Sequence, residues 1–293
     1  MRSKAIVGVL LGTALGLVPN VARGAEPNKL RYDAPADIAI TSIAAAAWVT
    51  SEVLKPMLVP EKCRWCYRSP AGASELNVVD RSVREALKWE EPKVADTTSS
   101  VLAFAVLPAT ALGVLTGAAG HDSALRGSPL DALLVLEASF IAADVNQIVK
   151  FAFARERPFV HFLPRAPDSA RAVTASPSDD NLSFFSGHTT LAFAVATSAG
   201  TVASMRDYRL APAVWAAGLP MAFAVGYLRI AADKHYLTDV LTGAIAGTVL
   251  GVGIPVLFHS PPATVDTTAT PGTSGLPLSG PPVRSTFSLG GAF

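Results

Sequence analysis

The chain has 293 residues, enough for one large domain or two small ones with an ample core. Half of the residues are hydrophobic and only 16% are charged, against about 25% in ordinary soluble domains, which points to a membrane protein or an unusually apolar helical bundle. The net charge of +1 gives no bulk electrostatic basis for binding nucleic acid.

Met1 to Ala25 reads as a signal peptide: Arg2 and Lys4 give a positive start, Ala5 to Val18 an apolar centre, and Ala22-Arg23-Gly24 a small-x-small cleavage signal. The apolar part is short for a span, and a retained anchor helix is the alternative. Residues 26 to 96 then form an exported N-terminal segment with short helices. Within it, the Ala-rich run Ile38 to Thr50 suits a buried or interfacial helix better than a span. The two cysteines, Cys63 and Cys66, lie in a C-x-x-C within a charged loop. A redox centre, half a zinc site and a local disulfide all use that spacing. No second pair completes zinc and no thioredoxin-like strands surround it, so downstream of an export signal a small structural disulfide is expected. Asn77 to Lys88 has the pattern of an amphipathic surface helix.

Residues 97 to 258 read as an all-α helical bundle. Four long uncharged runs, Thr97 to Gly120, Ser186 to Met205, Leu210 to Leu228 and Val240 to Phe258, each approach the roughly 20 residues that cross a bilayer. A fifth, Leu130 to Lys150, is apolar but carries Asp131, Glu137, Asp144, Asn146 and Gln147. Glu137 and Asp144 share a helix face, expected to point inward and to brace Lys150. The linker from Arg157 to Ser186 is long for a structureless loop, and its Phe159, Phe162 and Leu163 either meet an acyl chain or pack on the bundle. Residues 259 to 293 are rich in Pro, Thr, Ser and Gly, a disordered tail by composition.

Three stretches carry chemistry. Lys150 to Pro158 sets Lys150 and Arg157 around a helix end. Phe184 to Thr190 places Ser186 and Gly187 where a helix begins, a ready anion site, with His188 in its first turn. Tyr227 to Asp239 holds Arg229, then His235, then Asp239 four residues on, a carboxylate able to hold one ring nitrogen so that the other faces a substrate. His and Asp at this spacing also form solvated or capping pairs, but three cations, a helix N-terminus and two imidazoles together suit a tetrahedral oxyanion. His121, His161 and His259 lack such a context and are expected at surface or loop positions.

These stretches resemble the type 2 phosphatidic acid phosphatase family, which shares its fold and site with vanadium haloperoxidases. Its first motif is complete in Lys150, Arg157 and Pro158; the second appears as Phe185-Ser186-Gly187-His188, and the third as Leu228-Arg229, His235 and Asp239. Phe185 and Leu228 stand where the family has Pro and Ser, and neither change removes a charge or a proton carrier. The resemblance implies that His235 attacks phosphorus, that Asp239 orients it, and that His188 protonates the leaving oxygen. It further implies that Lys150, Arg157, Arg229, Ser186 and the Gly187 N–H hold the phosphate oxygens, with no metal and no cofactor. The implied substrate is a phosphomonoester or pyrophosphate on a lipid, hydrolysed at the outer face of the inner membrane. A soluble periplasmic acid phosphatase, a vanadate-dependent haloperoxidase and a non-catalytic membrane protein are the alternatives. The outward facing assumes that Ile38 to Thr50 does not cross the bilayer, and Arg206 with Arg209 then falls inside; if that run does cross, every loop inverts.

Overall fold

Helices make up nearly all the regular structure in the computed structural model, which describes residues 30–60, 62–69, 73–163 and 177–260. The expected signal peptide, residues 1–25, and the expected tail past Ser260 lie outside the described residues. Helix α1 is Ala34–Val53 and α2 is Val78–Leu87; α3, Pro92–Val101, continues through a π-helical stretch, Leu102–Val106, into α4, Leu107–His121. Then come α5, Ser128–Phe153, α6, Gly187–Met205, α7, Ala211–Ala231, and α8, Leu237–His259. Among the described residues there is no sheet, only isolated bridges at Trp65–Arg155 and Arg68–Ser74.

Local residue chemistry explains most of the boundaries. Asp33 accepts from the Ala36 N–H to start α1, and Asn77 does the same for α2 through the Asp80 N–H. Pro108 has no N–H to offer the Phe104 carbonyl one turn back, which is where the ladder widens into the π stretch. Helix α5 ends at Ala154, which adopts a left-handed φ of 44° and turns the chain into the Arg155–Arg157 corner.

Helix α6 is the axis, with α4, α5, α7 and α8 all packed on it, and every residue from Ala192 to Ala203 is buried. Its closest neighbour is α8, because Gly243, Gly247 and Gly251 present a bare stripe. A Cβ at Gly247 would collide with the Thr190 carbonyl oxygen and one at Gly251 with the Thr197 hydroxyl. The outer surface of the bundle is apolar: Ile43, Ile148, Phe223, Ile245, Val249 and Leu257 are each at least 62% exposed. Such a surface suits lipid rather than water. Among the described residues, five helical stretches are long and apolar enough to cross a membrane: Ala34–Val53, Pro92–His121, Leu125–Phe153, Ala211–Ala231 and Leu237–His259.

Three expectations change here. The run Ile38 to Thr50 belongs to a 20-residue helix of spanning length, because the charges that bounded it are accommodated: Asp37 is buried, and Glu52 pairs with Lys55 at 2.5 Å. Helix α1 begins beside the far end of α8, where the Arg31 N–H donates to the His259 carbonyl at 2.9 Å, and ends near the Lys150 end of α5, where Gln147 donates to Glu52 at 2.6 Å. Second, His161 and His259 are buried rather than at the surface. His161 lies 2.9 Å from Glu156, five residues back, and 2.8 Å from the Ser74 hydroxyl, remote in sequence, and His259 faces Glu137 of α5 at 3.6 Å. Third, Glu137 points inward as expected but toward His259; Asn146 and Gln147 are the polar groups of α5 that reach the Lys150 end.

Candidate active site

Four helix ends meet at one end of the bundle. The C-terminus of α5 brings Lys150, the N-terminus of α6 brings Gly187 and His188, the C-terminus of α7 brings Arg229, and the N-terminus of α8 follows His235. A cavity of about 540 Å³ lies between them, and its walls include Lys150, Arg157, Gly187, His188, Arg229 and Lys234.

At Gly187 any side chain would have to push a neighbour aside. A Cβ on it would stand 2.7 Å from the Asn146 amide oxygen and 2.9 Å from the Lys150 ammonium nitrogen. Asn146 is itself fixed by donating to the Phe185 carbonyl at 2.8 Å. Ser186 caps no backbone group with its hydroxyl, which pairs with Thr189 at 2.8 Å. The first-turn N–H groups of α6 therefore face the cavity wall without a side-chain cap.

Two cations are held yet incompletely used. Arg229 donates to Asp96 at 2.6 Å and to Ser99 at 3.0 Å. Arg157 donates from Nε to the Asp179 carbonyl at 2.7 Å. Arg229 Nε and Arg157 Nη1 are buried and find no hydrogen-bond partner among the described residues. A buried guanidinium N–H without a partner is costly, and a bound oxyanion would satisfy both. The Asp179 carboxyl is held well below the ordinary carboxylate range, chiefly by Arg157 and then by Lys55, Lys150 and Lys234, despite its burial. It stays ionised beside the cations until an anion competes for them.

His235 is buried beneath this cavity rather than in its lining. Its Nδ1 lies 2.7 Å from the Ser183 carbonyl oxygen, which can only accept, so Nδ1 carries the proton and Nε2 keeps its lone pair. Burial, followed by the positive charges of Arg157, Arg229 and Lys150, pushes the imidazole well below its usual pKa, leaving it neutral at neutral pH. His188 Nε2 sits 3.1 Å from the Ser100 hydroxyl. That hydroxyl already donates to the Asp96 carbonyl at 2.9 Å, so the imidazole N–H is the donor to Ser100.

The expected hydrogen bond between Asp239 and His235 is not made: Oδ2 stands 3.7 Å from Nδ1. The carboxylate is committed elsewhere, accepting from the Ser183 hydroxyl at 2.6 Å and the Tyr236 N–H at 2.9 Å, and pairing with Arg155. Ser183 thus stands between the two, its hydroxyl on Asp239 and its carbonyl on His235.

Arg155 is the largest group that no sequence motif announces. Fully buried, it bridges Asp239 to Asp80, with its guanidinium 4.5 Å from the Trp65 ring centre and 4.4 Å from that of Tyr236. Asp80 in turn accepts from the Thr238 N–H at 3.0 Å, and Arg84 grips Asp233 at 2.6 and 2.7 Å. Helix α2 therefore clamps both sides of the His235 loop. Cys63 and Cys66 are joined in a disulfide, and this loop is pinned to the same corner by the Arg64 N–H on the Ala154 carbonyl at 3.0 Å. Lys234 and Asp96 also line the cavity. Lys234 is adjacent in sequence to His235, the one cue that pointed to it; Asp80, Arg155 and Ser183 carry no spacing signal because their partners are distant. Of the linker aromatics, Phe162 lies 3.8 Å under the Arg84 guanidinium and Phe159 4.8 Å from the Lys234 ammonium, so both pack on the bundle.

Comparison with known proteins gives two findings. Residues 131–261 match the PAP2 superfamily. The fold is similar to a crystal structure of a transmembrane PAP2 type phosphatidylglycerolphosphate phosphatase from Bacillus subtilis, at 18% identity over 75% of this chain and 94% of that one, with a TM-score of 0.45. No curated protein sequence matches the chain.

Proposed function

We propose, from the match of residues 131–261 to the PAP2 superfamily, that this protein is a membrane phosphatase that hydrolyses a phosphomonoester or pyrophosphate on a lipid through a phosphohistidine at His235. The observation that carries the reading is the pair of orphaned guanidinium N–H groups, on Arg157 and Arg229, buried beside the Lys150 ammonium and the start of α6. They supply fixed positive charge where the non-bridging oxygens of a phosphoryl group would sit, and such preorganised charge does most to lower the barrier in phosphoryl transfer.

In the proposed sequence, the Nε2 lone pair of His235 attacks phosphorus while its Nδ1–H stays on the Ser183 carbonyl. The positive charge that develops on the ring is met through Ser183 and the Asp239–Arg155–Asp80 chain. His188, entering as the imidazolium with Nε2–H on Ser100, gives its Nδ1 proton to the leaving alkoxide, and the neutral ring then takes a proton from the water that releases phosphate. Trp48, Phe104 and Leu191 form an apolar wall on one side of the cavity, which favours a substrate with a hydrocarbon chain over a water-soluble ester.

The disulfide lies on the same end of the bundle as the cavity, and disulfides persist in oxidising compartments; this supports a site on the outer, periplasmic face of the inner membrane. Since α1 has spanning length and starts at the opposite end, an outward site puts residue 31 on the inner side. An export signal cleaved at residue 25 and an outward site then exclude each other, and the disulfide favours the site.

The test is phosphate release by detergent-purified protein from phosphatidic acid, a prenyl pyrophosphate and a water-soluble ester. His235→Ala is expected to cut turnover by at least about 10,000-fold, as loss of a nucleophile does elsewhere. Unchanged turnover in that variant, or release only from the soluble ester, would end the reading. Activity that requires both vanadate and peroxide, without phosphate release, would replace it with haloperoxidation.

A further inference from the structure

The bundle holds a second cluster of chemistry at the end opposite the phosphate cavity, and the phosphatase reading does not use it. Asp37 comes from the first turn of α1, Glu137 from α5 and His259 from the last residue of α8. All three are buried, and one ligand atom from each lies within 4.8 Å of the others. A cavity of about 510 Å³ opens beside them, walled also by Tyr32, Ile141 and Phe258.

Asp37 Oδ2 accepts from the Asp33 N–H at 3.0 Å, but hydrogen bonding does not account for the facing His259 and Glu137. His259 Nδ1 is 3.0 Å from the Arg31 carbonyl oxygen, so Nδ1 carries a proton there and Nε2 faces the cluster. Nε2 lies 3.6 Å from Glu137 Oε1, too far for a hydrogen bond. Both Nε2 and Glu137 Oε2 are buried and find no hydrogen-bond partner among the described residues, although the two side chains are only 3% and 4% exposed. With a neutral ring, a nitrogen lone pair would confront a carboxylate, and that is repulsive unless a cation stands between them. The 3.6 Å separation is near the roughly 3.4 Å between two donors bound at about 2.1 Å on one tetrahedral ion.

We propose that Asp37, Glu137 and His259 form a divalent transition-metal site. Two carboxylates and one imidazole offer the charge and donor types that suit Zn²⁺, and the adjoining cavity has room for water to complete the shell. The site joins the chain entering α1 to the centre of α5 and the end of α8, so its occupation ties the first and last described helices together. No spacing motif announces it, because its ligands are far apart in sequence and meet only in the folded bundle.

The test uses the full chain in detergent, stripped with a chelator and titrated with Zn²⁺ alone. One Zn²⁺ per chain is expected, with a rise in Tm on binding. Glu137→Gln and His259→Gln should each weaken Kd by more than about 100-fold, beyond what loss of a merely supporting group costs, and should abolish the rise in Tm. His121→Ala, at an exposed histidine, should leave both unchanged. Co²⁺ added to the stripped wild-type protein should give visible absorption of the intensity of a four- or five-coordinate nitrogen and oxygen site, which needs no variant to fold. The proposal is overturned by wild-type protein that takes up no Zn²⁺, by equal uptake in the glutamine variants, or by a Co²⁺ spectrum of the hexaaquo ion; a protonated His259–Glu137 ion pair would then occupy the position. Phosphate release is not a readout, so this result and that of the His235→Ala test are independent.

Discussion

For single residues, the site is governed by which atoms are left over. His235 is neutral because it is buried among cations, and Nε2 keeps its lone pair because Nδ1 is spent on the Ser183 carbonyl. The acid limb of kcat/KM should therefore fall below the ordinary imidazole value of about 6.5. The sign follows from the charges: protonating a ring beside Arg157 and Arg229 is unfavourable, so the neutral form that the proposed attack requires persists to lower pH. Arg157→Gln removes the second-largest cause of the depression and should move the limb upward, measured as a pH profile against wild type on one substrate. Gly187 makes a separate claim. An alanine there must displace Asn146 or Lys150, and a displacement of that size should lower kcat/KM by roughly 100-fold with Tm nearly unchanged.

Among the elements, two devices set the geometry. The first is the glycine stripe of α8 against α6, which brings the His235 loop and the Gly187 turn together; the Ser186 N–H donates to the Asp239 carbonyl at 3.1 Å across that contact. Gly247→Leu would force the helices apart, and overpacking of this kind costs about 1–3 kcal/mol or more, so a clear drop in Tm together with lost activity is expected. The second device is α2, whose Asp80 and Arg84 hold both sides of the same loop. The buried Asp80–Arg155–Asp239 chain is expensive to desolvate and is retained where it fixes orientation, since breaking it would leave an uncompensated charge.

Across the molecule, the exterior is apolar, and the disulfide loop is pinned at the end of α5, where the cavity also lies. If that end faces outward, a membrane-impermeant maleimide applied to intact cells should label Cys63 and Cys66 only after an impermeant reductant is added. Labelling that instead requires permeabilised cells would reverse the orientation. Arg206 is a weaker guide to sidedness than the sequence suggested, because it is tied to Asp131 at 2.7 Å.

Residue order alone is enough for the helical architecture and the motif residues. Apolar periodicity and length act locally, and Lys150, Arg157, Gly187, His188, Arg229 and His235 stand in short ordered motifs whose residue types announce anion chemistry. How those residues are held emerges only once the chain has closed on itself. The tautomer of His235, the diversion of Asp239 to Ser183 and Arg155, the clamp from Asp80, and the meeting of Asp37, Glu137 and His259 depend on contacts between residues distant in the chain. Burial converts such contacts from optional to obligatory, because a desolvated charge or lone pair must find a partner, and a sequence does not display where its chain will close.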